Sequence, residues 1–137
     1  MKKETDIYKE SMRYIDNAKE ILTTKAGKQG EYYNDQKYVR MACNTAYSGV
    51  LISLDTLFDH KGIVRPKKKN KIRDGIDVKF YRENLGFNQS ILKAFNTAYN
   101  YLHLFGGYDG DLHFNTAKTG IDKAIEIIDW VRKQISK

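Results

Sequence analysis

Proline, cysteine and long apolar runs are scarce in this 137-residue sequence, with one proline and one cysteine in all. A proline inside a helix removes a hydrogen bond and costs about 3 kcal/mol or more, so its near-absence leaves room for long helices. The lone Cys43 can form no internal disulfide, and neither a cysteine pair nor an HExxH-type histidine pair offers zinc a site. No run approaches the roughly 20 apolar residues of a helical membrane span. The opening Met-Lys-Lys-Glu-Thr-Asp lacks the apolar stretch of a secretion signal. The expectation is therefore a cytoplasmic chain that makes no membrane contact. A glycine-rich phosphate loop is missing as well, and no cofactor or metal is expected. The string Asp109-x-Asp111-x-His113-x-Asn115 has alternate spacing, but Asp and Asn beside glycines are ordinary turn and cap residues.

Helical periodicity is what the sequence has most of. The stretch Asn34–His60 carries a buried-face stripe of Val39, Ala42, Cys43, Ala46, Gly49, Val50, Ser53, Leu54 and Leu57. A second, mixed stripe runs Arg40, Asn44, Tyr47, Leu51, Phe58. A helix with contacts on two sides sits between other helices. Glu4–Ala26 reads as the helix before it, stopped by Gly27 and Gly30, and Asn34 is the expected N-cap of the long helix. Asp74–Leu85 reads as a short helix. A fourth helix begins at Asn88 with Phe87 and Leu92 as a staple, ends at Gly106, and buries Ile91, Ala94, Phe95, Ala98, Leu102 and Phe105. Gly106–Gly110 reads as a turn, and a last helix starts near Asn115 or Thr119. The expected fold is all-α: one domain over residues 1–137, an up-down four-helix bundle with an additional short helix between helices 2 and 4.

The net charge of +7 has one source. Lys61, Arg65, Lys67, Lys68, Lys69, Lys71 and Arg73 occur with no acid among them, and the rest of the chain is balanced. This segment, 61–73, contains Pro66, has no period and reads as a loop. If it binds, Arg65, Lys67, Lys68, Lys69, Lys71 and Arg73 would contact nucleic-acid phosphates without reading bases.

Asn-Thr-Ala-Tyr occurs twice, at Asn44–Tyr47 and Asn96–Tyr99. In both helices the alanine falls on the core stripe, and the Asn and Tyr fall together on the second. Two ladders result, Arg40-Asn44-Tyr47 and Asn96-Tyr99-His103, which facing one another would form a polar pocket or an interface. The plainer reading is that Asn and Tyr satisfy each other near a bundle surface.

Tyr38–Tyr47, Tyr-Val-Arg-Met-Ala-Cys-Asn-Thr-Ala-Tyr, and Tyr101–Gly110, Tyr-Leu-His-Leu-Phe-Gly-Gly-Tyr-Asp-Gly, resemble an uncharacterised bacterial domain-of-unknown-function family over nearly the whole chain. That family is similar to the HEPN group (higher eukaryotes and prokaryotes nucleotide-binding domains). The resemblance implies a four-helix up-down bundle, frequently dimeric, in a group with nucleotidyltransferase partners, toxin–antitoxin components and ribonucleases. The ribonucleases carry Arg followed by four to six residues and His. No arginine stands at that distance before His60, His103 or His113, which argues against a ribonuclease of the usual kind. The functional expectation is a non-catalytic interaction module, a homodimer with room for a protein partner. The alternative is a nucleic-acid-associated module using the basic loop. An enzyme built on Tyr47, Asn96, Tyr99 and His103 is the least supported reading.

Overall fold

The computed structural model describes residues 4–64 and 74–137. It is predominantly α-helical, as expected. The helices are α1 (Glu4–Ile21), α2 (Gln36–His60), α3 (Asp74–Leu85), α4 (Gln89–Ala98) and α5 (Phe114–Ser136), with a two-residue hairpin, β1 (Lys28–Gln29) and β2 (Tyr32–Tyr33), after α1. Two helices change winding before they end. α1 continues as a π turn over Leu22–Ala26, and α4 continues as a π-helical segment over Tyr99–Tyr108. No helix among the described residues is long and apolar enough to cross a membrane. The basic segment 65–73 lies outside the described residues.

α2 is the hub. It packs against α1, α5 and the π segment, while α5 also touches α1, α4 and the π segment. Its stripe is buried as the spacing requires: Val39, Ala42, Cys43, Ala46, Val50, Leu54 and Leu57 are fully enclosed. Each large apolar side chain among them contributes about 1.5–3 kcal/mol by leaving water. The small residues serve two neighbours. A Cβ on Gly49 would stand 3.0 Å from the Ser11 carbonyl oxygen and 3.1 Å from Tyr14 Cβ, so α1 approaches there. Cys43 instead faces Gly106 of the π segment. A second aromatic layer, Phe58, Phe80, Tyr81 and Phe95, docks α3, with successive ring centroids 5.5–5.9 Å apart. Tyr81 donates its hydroxyl proton to Asp55 at 2.5 Å.

Several boundaries differ from the sequence reading, each for a local reason. Asp35, not Asn34, caps α2, with its carboxylate accepting from Lys37 N at 3.0 Å. Asn34 is held back by its own N–H bond to the Gly27 carbonyl at 2.8 Å. The Glu-Tyr-Tyr link is a hairpin that clasps the start of α5, through Tyr33 N to Leu112 O and Phe114 N to Glu31 O, both 2.8 Å. α5 begins at Phe114, because His113 Nδ1 accepts from Asn115 N at 3.1 Å while Asp111 accepts from His113 N and the Thr116 hydroxyl. The alternating Asp-His string is thus a capping device. Asn88 caps α4 as expected, accepting from Ile91 N at 3.1 Å. Gly106–Tyr108 is helical rather than a turn, and Gly110, with φ of 67°, ends the segment.

The π winding also re-sorts the faces of the fourth helix. Bonds run from residue i+5 back to i, as in Asp109 N to Leu104 O at 2.8 Å. An α spacing from Leu102 brings Phe105 inward. The wider turn brings Gly106 and Gly107 inward instead and leaves Phe105 42% exposed.

The Ser11 hydroxyl, fully enclosed where α1 meets α2, has no hydrogen-bond partner among the described residues. A buried, unsatisfied hydroxyl costs about 1–3 kcal/mol. Ser11→Ala is therefore expected to leave stability unchanged or raise it by about 1 kcal/mol, read as a higher urea midpoint. A fall in the midpoint contradicts this.

Candidate functional site

α2 presents Gln36, Arg40, Asn44 and Tyr47 at helical spacing on one face. The first three serve the end of the π segment. Gln36 Nε2 donates to the carbonyls of Asp109 (3.1 Å) and Gly110 (3.3 Å), and Asn44 Nδ2 donates to the Gly107 carbonyl at 3.3 Å. Carbonyls at a helix C-terminus lack intrahelical partners. Arg40 Nε lies 2.8 Å from where a Gly110 Cβ would stand, so a guanidinium sits at the negative end of the segment.

Further along, the two expected ladders meet. The ring of His103 lies 5.1 Å from Tyr47 and 5.2 Å from Tyr99, and the two tyrosines are 6.1 Å apart. Tyr47 is nearly enclosed, and Tyr99 and His103 are half-buried. The His103 ring is tilted by 30° to Tyr47 and stacked at 29° on Tyr99, while the two tyrosines are 59° to one another, so the three rings form a compact triangular cluster. Arg82, from the last turn of α3, completes it: its guanidinium carbon is 5.3 Å from the Tyr99 centroid, and its Nε donates to Asn96 Oδ1 at 2.8 Å. The structure therefore brings together Tyr47, Asn96, Tyr99 and His103, and places Arg40 and Asn44 at the adjoining helix end. Arg82 and Gln36 were not legible as members. Neither falls in the repeated Asn-Thr-Ala-Tyr, and only the tertiary approach of α3 and of the π terminus recruits them. Arg65, Lys67, Lys68, Lys69, Lys71 and Arg73 lie outside the described residues.

The arrangement suits recognition: flat rings, amides and guanidinium groups on a surface. Among the described residues no three His, Cys, Asp or Glu side chains gather as metal ligands would. The buried nucleophile, Cys43, is chemically quiet. Burial first, and then the charge of Asp111, push its thiol up to about 12, so the thiolate is scarce at neutral pH. Burial, with the Cys43 charge second, also raises the neighbouring Tyr33 phenol. A thiol reagent at pH 8 is expected to modify Cys43 only as fast as the protein unfolds. Labelling at free-thiol rates in native protein would contradict that enclosure.

Fold and face define a predominantly α-helical protein with a partly buried cluster of aromatic, amide and guanidinium groups. The chain belongs to the family described as Domain of unknown function (DUF5618), whose model matches residues 6–133. It is similar to a solved protein of unknown function from Dyadobacter fermentans, 40% identical with a TM-score of 0.82, covering 96% of this chain and 98% of that one. A comparison with curated proteins gave no match.

Proposed function

We propose that this chain is a non-catalytic interaction module. In this reading it forms one domain, a HEPN-like up-down four-helix bundle that works in the cytoplasm as a homodimer and leaves a face for a protein partner. The observation that carries the reading is the cluster of Tyr47, His103 and Tyr99, with Tyr99 and His103 half-exposed, finished by Arg82 and Asn96. The outer side of the π segment supplies the apolar area for self-association, since Phe105 is 42% and Tyr108 77% exposed and large aromatic side chains are favoured at interfaces.

Sedimentation equilibrium at about 10–100 µM tests this, a range that brackets the micromolar affinity of a modest interface. The expected mass is about twice the 15.9 kDa of the chain, reduced towards the monomer by Phe105→Glu or Tyr108→Glu. A monomer across the range contradicts the dimer.

The second reading rests on the acid-free cluster Arg65, Lys67, Lys68, Lys69, Lys71 and Arg73. A segment making about four phosphate contacts on a duplex gives a log–log salt slope near −3.6. Neutralising Lys67, Lys68, Lys69 and Lys71 is expected to abolish such binding, and an unchanged affinity would remove the reading's foundation.

A further inference from the structure

α5 starts on an imidazole used as a hydrogen-bond acceptor. His113 Nδ1 accepts from Asn115 N at 3.1 Å, a place that Ser, Thr, Asp or Asn oxygens ordinarily fill at a helix N-terminus. Only a neutral ring with its proton on Nε2 has a lone pair at Nδ1 to offer. The hairpin grips the same residue. Tyr32 pairs with His113 as an antiparallel bridge, their rings meet edge to face with centroids 5.1 Å apart, and Glu31 Oε2 stands 4.0 Å from His113 Nε2. Phe114 N donates to the Glu31 carbonyl and Tyr33 N to the Leu112 carbonyl, so a backbone clasp closes on both sides of His113. The His113 side chain is 32% exposed, so protons from solvent reach it.

We propose that His113 is a proton-operated latch: the neutral ring caps α5 and holds the hairpin closed on it, and the charged ring gives up the cap and loosens the clasp. Protonation fills the Nδ1 lone pair and sets one N–H against another. The imidazolium would also stand at the positive end of α5. Glu31 and Asp111 offer the charged ring carboxylates to turn towards, and Asp111 already accepts from the His113 backbone N–H at 3.0 Å. Histidine ordinarily changes charge between about pH 5 and 8. The cap is therefore present above that range and is lost as pH falls through it. The other charged groups of this junction are engaged or stand apart. Lys28 of the hairpin lies over the Phe114 ring at 3.9 Å, and Lys118 of α5 is paired with Asp122 at 2.8 Å. On α2, Arg40 lies at Gly110, and Asp109 is exposed at the end of the π segment. Burial raises both the Cys43 thiol and the Tyr33 phenol, so these two stay neutral while His113 titrates. Asp111 N also donates to the Phe105 carbonyl at 2.8 Å, which places the latch where hairpin, α5 and π segment meet.

Nitrogen–proton correlation spectra of the full chain test the latch. At about pH 8 the His113 ring is expected to carry its proton on Nε2. Towards about pH 5 the Asn115 amide signal should move with the titration of that ring. Over the same interval the protection of the Phe114 and Tyr33 amides against solvent exchange, corrected for the intrinsic rate, should fall about fivefold, the equilibrium weight of one N-cap. His113→Asn keeps a capping side chain that does not titrate. Its protection should hold at the high-pH level throughout, with His60 and His103 still present as internal controls. His113→Ala should show the lowered protection at both ends of the range. A proton on Nδ1 at about pH 8, protection in the parent that ignores pH, or an equal fall in His113→Asn overturns the proposal. So does a His113→Ala protein protected as well as the parent at about pH 8.

Discussion

Gly106→Ala is expected to destabilise the protein by about 3 kcal/mol, even though alanine in a helix interior is intrinsically favoured over glycine by about 1 kcal/mol. The reason is the seating of the π segment on α2. The added methyl group would overlap Cys43 Sγ and come within 2.9 Å of both Cys43 Cβ and the Tyr101 carbonyl oxygen. Cys43 is fully enclosed and belongs to the central helix, so it has nowhere to move. Overpacking of a filled core forces backbone shifts at this order of cost. Cys43→Ala in the same chain should recover part of the loss and not all, since the Cβ and the carbonyl remain. Urea denaturation reads both effects as a lower midpoint at constant slope. A Gly106→Ala protein as stable as the parent would mean that the two helices are not in this contact.

Phe95→Ala is expected to cost about 3–5 kcal/mol, whereas Phe105→Ala should cost under about 1 kcal/mol. Phe95 is fully enclosed, with its ring 5.7 Å from that of Tyr81. Removing it leaves a cavity where α3 and α4 meet α2. Phe105 faces outward at 42% exposure and makes an edge contact with Tyr101 at 5.5 Å. Because folded domains are stable by only about 5–15 kcal/mol, the first variant should lose a large share of its margin. Equal costs at the two positions would place Phe105 in the core and contradict the π register.

That contrast also marks where the sequence was legible. The stripe on α2 was readable because long helices with regular apolar spacing have one self-consistent face, and Val39 to Leu57 bury as that spacing requires. The Asn88 cap was readable because capping is local chemistry. Phe105 was misplaced because helical spacing assumes 3.6 residues per turn, and nothing in Tyr99–Tyr108 announces the wider winding before its glycines are seen against Cys43 and Asn44. Asn34 was misplaced because two adjacent residues can both cap, and the hairpin decides between them. Of the candidate face, the repeated Asn-Thr-Ala-Tyr made Tyr47, Asn96 and Tyr99 visible. Arg82 joins only through the approach of α3, which no periodicity encodes.

The π winding seats Gly106 on α2 and brings His103 onto Tyr47 and Tyr99. Proton–proton Overhauser contacts in solution measure this directly. Cross-peaks are expected from the His103 ring to the rings of both Tyr47 and Tyr99, together with Gly106 Hα to Cys43 Hβ. Cross-peaks from the Phe105 ring to Cys43, with none from His103 to Tyr47, would show an α-helical register and contradict it.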